Sequence, residues 1–336
     1  MNTEISTDRA AAVELLERGE IVALPTETVY GLAANALNPV VVAKIFEAKE
    51  RPRFDPLIVH LPDRDWLDRM TEVPDEDRQL VEKLIDRFWP GPFTIVLSRK
   101  SIVPEIVTAG LDTVAIRISV HAVFSEIIHE FGKPLAAPSA NRFGRISPTT
   151  AQHVLNELDG RIPMIVDAGP TPHGIESTIV AVRHGKINIL RRGPITEEEL
   201  SIFGKIEIRA PSKILAPGQS PTHYAPTTPL RLIDDADLFL TRPSERVALL
   251  AWKKSRSGGF PSAGFDTRQP GDHRSLKFVA IRQLSEKQDL REAAANLFRY
   301  LRELDQCDLD LIVAERVPEE GLGAAINDRL LRAAAK

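Results

Sequence analysis

IVALPTETVYGLAANALNPVVVAKIFEAKERPRFDPLIVH, residues 21–60, begins with a short apolar run at 21–24 that stops at Pro25 and closes with another at 57–60. Apolar runs this short, bounded by proline, read as buried strands. Between them Asn38 precedes Pro39. An asparagine side chain can accept from the free amides of a helix start, and proline fits the first helical turn, where its missing N–H is no loss. Val42, Ile45 and Phe46 then recur on one helical face, while Lys44 and Lys49 load the end where the helix dipole favours cations. Strand, helix and strand in succession make this an α/β chain.

Outward from this unit the pattern continues imperfectly. A helix is predicted over 7–17 with Gly19 as its stop, strands over 94–97, 113–118, 164–167, 178–182 and 187–190, and helices over 76–87, 122–131 and 150–157. Because strands and helices do not alternate strictly, a mixed sheet is expected rather than a doubly wound parallel one. A proline-rich stretch over 209–229 reads as a linker. It divides a domain at 1–208 from a smaller α/β domain at 230–336, with strands expected at 230–233, 247–252, 278–281 and 309–313 and helices at 286–302 and 324–334. Residues 253–275, rich in glycine, serine and charge, read as an exposed loop.

Composition bounds the function. A chain of 336 residues, 43% hydrophobic and 27% charged, has enough apolar surface for two cores. Cys307 is the single cysteine, which excludes a disulfide framework and a thiolate metal cluster. A net charge of −4 argues against a chain that coats nucleic acid. The first twenty residues carry charge and no apolar core of a signal peptide, and no uncharged apolar run approaches the roughly 20 residues of a membrane span, so a cytoplasmic protein without membrane contact is expected. The Walker phosphate loop, the Rossmann glycine fingerprint, GxSxG and HExxH are all absent.

Six segments carry polar chemistry. LPTETVYGL (24–32) sets Thr26, Glu27, Thr28 and Tyr30 at a strand end, either a ligand loop or a polar turn. AKERPRFDPLIVH (48–60) puts Lys49, Arg51 and Arg53 at a helix end and in the loop after it, which Pro52 and Pro56 restrict, either an anion site or a surface complement to the helix dipole. APSANRFGRISPTT (137–150) offers Ser139, Asn141 and Ser147 before a helix that Pro148 and Thr149 are expected to begin, a plausible anion cradle. Arg117 lies within a strand, where burial demands an anionic partner, from a ligand or from the chain itself. ESTIV and LRRG, with Ser177 and Arg191, sit at further strand ends. His60 reads in isolation as a core histidine, and Cys307 as inert packing.

Lys49-Glu50-Arg51 and Ser139-Ala140-Asn141 match a K-x-R and S-x-N signature, and PTETVYGL, PLIVH, FWPGPFT, TVAIR, SPT, ESTIV and LRRG follow in the same order. Together they resemble the YrdC-like family of threonylcarbamoyl-AMP synthases, over roughly residues 7–205. The SPTHYAP segment at 220–226 is similar to that of the longer two-domain form. The resemblance implies a twisted mixed sheet with a large open cavity, followed by a smaller Rossmann-like α/β domain. It implies a reaction of L-threonine, bicarbonate and ATP, with Mg²⁺, giving threonylcarbamoyl-adenylate and pyrophosphate. The product would be handed to a tRNA threonylcarbamoyl transferase complex, and weak tRNA binding is consistent with it.

By the same resemblance Lys49, Arg51, Ser139 and Asn141 form the catalytic signature. ATP is expected at Lys49, Arg51, Asp55, Thr113, Ser139, Ser147 and Arg191, with Tyr224 or His223 reaching back from the linker. Threonine is expected at Thr28, His60, Arg117, Ala137 and Ser177. Such a site needs no covalent nucleophile: the carbamate of threonine attacks the α-phosphorus, and the protein positions and neutralises charge. Asp55 stands where the family commonly has asparagine; magnesium or Arg53 is expected to screen its charge from the triphosphate. The rival from another class is an RNA-binding module without catalysis. A carbamoyltransferase of hydrogenase maturation would require zinc-finger cysteines that this chain lacks.

Overall fold

Asn38 caps helix α2 (Pro39–Lys49) by accepting from the amides of Val40 and Val41, and Glu50 ends it in the left-handed region at φ 53°. The helix buries Val42, Ile45 and Phe46, as its spacing predicts. A computed structural model describes residues 2–52, 54–207, 216, 223–242, 244–253 and 278–335 of the chain. Arg53, most of the linker and nearly all of the loop expected at 253–275 lie outside the described residues. The chain divides into two compact units, Met1–Ser220 and Pro221–Lys336.

The first unit carries strands β1 (Glu4–Ser6), β2 (Val22–Leu24), β3 (Gly31–Asn35), β4 (Ile58–His60), β5 (Thr71–Glu72), β6 (Phe93–Arg99), β7 (Thr113–Arg117), β8 (Leu135–Ala136), β9 (Met164–Val166), β10 (Thr178–Arg183), β11 (Lys186–Arg191) and β12 (Lys205–Glu207). They form one sheet in the order β1-β9-β2-β3-β8-β4-β7-β6-β10-β11-β12, with β5 paired to β6. The sheet is mixed, as expected: β4 runs parallel to β7 and β6 to β10, while β6 and β7 are antiparallel. Its other helices are α1 (Arg9–Glu17), α3 (Asp65–Met70), α4 (Asp75–Phe88), α5 (Glu105–Thr108), α6 (Ala122–Phe131), α7 (Ala151–Leu158) and α8 (Glu197–Ser201).

Two of the predicted boundaries move for physical reasons. Strand β3 lies in the stretch read as a loop, because Gly31–Asn35 has no β-branched residue to announce it and takes its strand character from pairing with β2 and β8. Helix α7 starts at Ala151 rather than at Pro148: Thr150 caps it from His153 N–H, while the Pro148 and Thr149 carbonyls accept from Tyr30 and Thr171.

Side chains alternate across the sheet, and the two faces are covered differently. Val59, Ile95, Leu97, Val114, Ile116, Val180 and Val182 enter the main core with α2, α4 and α7. On the opposite face α1 and α6 cover Val22, Leu24, Ala33 and Leu135. Further along that face Ile58, Val96, Ala115, Ile179 and Ala181 form only a small cluster, onto which Ala216 packs. Of the described residues in that cluster, none belongs to a helix.

The second unit is a parallel sheet in the order β13-β16-β14-β15, from β13 (Leu230–Ile233), β14 (Val247–Ala251), β15 (Ala280–Gln283) and β16 (Leu311–Glu315), with helices α9 (Leu290–Asp305) and α10 (Leu322–Ala334). Its elements fall close to the predicted ones. Glu315 is buried at the end of β16, where its carboxylate accepts from the amides of Ala236, Trp252 and Lys253.

Candidate active site

The sparsely covered face collects the polar residues. His60 follows Ile58 by two along β4, Arg117 and Thr113 flank Ala115 along β7, and Thr94 precedes Val96 by two along β6, so all four share the face of the small cluster. Cross-strand register agrees: His60 pairs with Arg117, and Ile179 with Thr94. Arg191 should by simple alternation join Ile187 and Ile189 in the helix-covered core. A register shift intervenes, with Val180 opposite Ile189 but Ile179 opposite Arg191. One extra residue in β11 therefore turns Arg191 onto the polar face, as a β-bulge does.

A cationic cluster forms first. Lys49 is 1% exposed, and its Nζ donates to the Ser139 carbonyl at 2.6 Å and to that of Asn141. Burial, and then the charge of Arg51, hold the Lys49 ammonium well below the usual lysine range. Arg51 donates to the Pro56 carbonyl at 2.9 Å and pairs with the Asp55 carboxylate at 2.9 Å. Burial raises the Asp55 carboxyl above its ordinary value, opposed by the charges of Arg51, Lys49 and Arg191. The charges of all three cations act on Asp55, and Arg51 pairs with it directly; Arg53 lies outside the described residues. Arg191 donates to the Ser177 carbonyl and hydroxyl, each at 3.0 Å, and the Ser177 hydroxyl meets Thr94 at 2.8 Å.

The second cluster centres on Arg117, which is 2% exposed. It pairs with Glu27 and donates to the Thr28 hydroxyl at 3.3 Å. Ser119 also donates to Glu27. The chain therefore supplies the carboxylate that a strand arginine demands. His60 lies beside Phe124 with ring centroids 4.6 Å apart, and its buried Nδ1 has no hydrogen-bond partner. Burial, and then Arg117, push the imidazole well below its ordinary pKa of 6.5, so it is neutral. Ala137 ties this region to β4 through its amide on the Ile58 carbonyl at 2.9 Å.

The loop at 137–150 closes the site from the side. Ser139 bridges Gly31, Asn141 donates to the carbonyls of Arg142 and Arg145, and the Ser147 hydroxyl donates to Glu176 at 2.5 Å. Thr113 stands at the start of β7 opposite Ser98. Tyr224 belongs to the second unit, where it stacks on Phe298 and lies under Arg329. Among the described residues no group of three His, Cys, Asp or Glu side chains is placed to hold a metal. Glu27 and Ser119 were legible as residues but had no assigned role; a carboxylate at one strand end facing an arginine at another is the signal that finds them.

Comparison with known proteins bears on these clusters. The Sua5/YciO/YrdC family profile, described as "Telomere recombination", matches residues 14–193, and the threonylcarbamoyl-AMP synthase C-terminal domain matches 195–335. The threonylcarbamoyl-AMP synthase of Bacillus subtilis is 41% identical over 342 residues, 98% of this chain and 95% of that protein. This chain belongs to the threonylcarbamoyl-AMP synthase family. The Pyrococcus abyssi synthase is 37% identical, covering 96% of this chain and 92% of that one. The crystal structure of P. abyssi Sua5 complexed with L-threonine superimposes with a TM-score of 0.84 at 32% identity, covering 99% and 98% of the two chains. Both units are therefore those of a two-domain, YrdC-like synthase. Within that synthase family the K-x-R and S-x-N motifs meet physically here, through Lys49 Nζ on the Ser139 and Asn141 carbonyls.

Proposed function

We propose that this chain condenses L-threonine, bicarbonate and ATP into threonylcarbamoyl-adenylate, releasing pyrophosphate, as the activated intermediate for a tRNA modification. The observation that carries the reading is a group of buried cations, Lys49, Arg51 and Arg191, whose charges all act on Asp55, together with a buried arginine, Arg117, that donates to Thr28. The amine of threonine adds to the carbon of bicarbonate, and an amine proton leaves with the bicarbonate hydroxyl as water to give the carbamate; a carbamate oxygen attacks the α-phosphorus, the bond to the bridging oxygen breaks, and pyrophosphate leaves with the electron pair. Negative charge accumulates on the phosphates, and fixed cations in a dry site stabilise it most effectively.

In this reading Lys49, Arg51 and Arg191 hold the triphosphate, with Ser139, Ser147 and Thr113 completing the nucleotide site of the first unit and Asp55 setting the local charge. Thr28, His60, Arg117, Ala137 and Ser177 hold threonine, and Asn141 fixes the loop at 137–150. When bound with ATP, Mg²⁺ would neutralise phosphate charge, and Asp55 is the carboxylate of this cluster that it would screen. We read Ala216, packed on the sparsely covered face, as part of a cover that keeps water from the mixed anhydride. The enzyme works in the cytoplasm and hands its product to a tRNA threonylcarbamoyl transferase complex. Mass detection of threonylcarbamoyl-adenylate from the three substrates, with Lys49→Ala and Arg51→Ala as controls, tests the reading. Product that appears equally with both variants, or salt-sensitive RNA binding without any product, would overturn it.

A further inference from the structure

The Arg117–Glu27 pair presents a problem in charge. Both side chains are nearly inaccessible, with the residues 2% and 3% exposed. Glu27 accepts from Arg117 Nη2 and from the Ser119 hydroxyl, and its own carbonyl accepts from the His173 amide at 3.0 Å. Arg117 Nη1 reaches the Thr28 hydroxyl at 3.3 Å, whereas its Nε–H is buried with no acceptor. An arginine meant for a substrate carboxylate thus already has a counter-ion, and still has an unsatisfied donor.

The neighbouring cluster explains why neutrality is useful. The charges of Lys49, Arg51 and Arg191 act on Asp55, and Glu157 acts on Lys49, which still leaves positive charge in excess and suited to a polyanion. A bare Arg117 beside it would be one more phosphate subsite. Paired with Glu27 it is net neutral, and a neutral pair with one open N–H edge suits a ligand that carries both signs. A carboxylate can meet the Nε–H, while an ammonium group gains from the negative field of Glu27. A plain anion gains the first contact and is repelled by the second.

We propose that Glu27 is the positioning residue that makes this subsite select a zwitterionic amino acid over a carboxylate or phosphate lacking the amine. It acts by orienting and neutralising Arg117, and the proposal rests on reading Arg117 as the partner of the substrate carboxylate. The test is calorimetric binding to the full chain without ATP, using L-threonine, its deamino analogue 3-hydroxybutyrate, and inorganic phosphate. The wild-type protein should prefer threonine, and Glu27→Gln should reduce the threonine to 3-hydroxybutyrate preference by at least about tenfold, with phosphate binding strengthened. Ser119→Ala, which removes one bond to Glu27, should shift the ratio the same way by less.

An unchanged ratio in folded Glu27→Gln, or equal weakening of all three ligands, would overturn the proposal by reducing Glu27 to a structural role. If Glu27→Gln does not fold, an unchanged ratio in Ser119→Ala overturns it. Failure of the wild-type chain to bind threonine would overturn the underlying reading of the subsite instead.

Discussion

Lys49 Nζ lies 2.6 Å from the carbonyl oxygen of Ser139, so the end of α2 and the loop following β8 are joined by one buried ammonium. The Lys49 carbonyl also accepts from the Phe143 amide at 2.9 Å, which stitches the same two segments a second time. The lysine therefore shapes the loop as well as carrying charge.

Lys49→Ala should lower kcat/KM for ATP by about a hundredfold or more, the scale for removing a group that stabilises developing charge. It should also loosen the loop at 137–150, since two carbonyls lose their donor. Steady-state kinetics and amide exchange across that loop check both effects. Lys49→Arg should not restore activity, because a planar guanidinium cannot replace a compact ammonium between the two carbonyls.

Asp55→Asn should lower the KM for ATP severalfold, on the order of 3–10 times, because it removes the one carboxylate that Arg51, Lys49 and Arg191 share. ATP titrations at fixed free magnesium measure it. A KM that rises would mean that the Arg51 side chain depends on Asp55 for its position more than the phosphates are hindered by its charge.

Acid should destabilise the fold through His60. Its folded pKa is lowered below 6.5, so the unfolded chain binds the proton first; this contribution is fully present above about pH 6.5 and declines as pH falls through that window toward the folded value. The melting temperature of His60→Gln should fall less between pH 7.5 and 5.5 than that of the wild-type protein. Equal slopes would show that His60 is not held neutral.

Ala216 is completely buried against Ile58, Ala115 and Ile179. Ala216→Asp would place a charge there without a partner, which the segment can escape only by leaving the sheet. If the linker protects the intermediate, this variant should release AMP and free threonine at the expense of threonylcarbamoyl-adenylate, seen as a changed product ratio by mass spectrometry. An unaltered ratio would make the segment a tether.

Periodicity was enough for the α/β class and for the helices of eight residues or more, because caps and apolar spacing act locally, whereas the short α3, α5 and α8 are too brief to show a repeat. It placed His60, Thr113 and Arg117 on strands whose register then put them on one face. Arg191 shows what local reading misses. Its side depends on an extra residue relative to β10, and a bulge is a property of two strands rather than of one. The partner of Arg117 was open for a similar reason, since Glu27 is ninety residues away in the chain and only the fold brings them together. Strand β3 was hidden because its identity comes from its neighbours. The motif resemblance supplied the grouping of the site residues, which spacing alone left as a set of separate polar loops.

The carboxylate of Glu315 has a consequence for the C-terminal half. Parallel α/β sheets take phosphates beyond the carboxyl ends of their strands, where backbone amides point outward. Here the amides of Ala236, Trp252 and Lys253 already hold an anion that is covalently part of the chain. A dissolved phosphate would have to evict a tethered competitor of very high local concentration. That edge of the smaller sheet is plugged from within, by a carboxylate carried on one of its own strands.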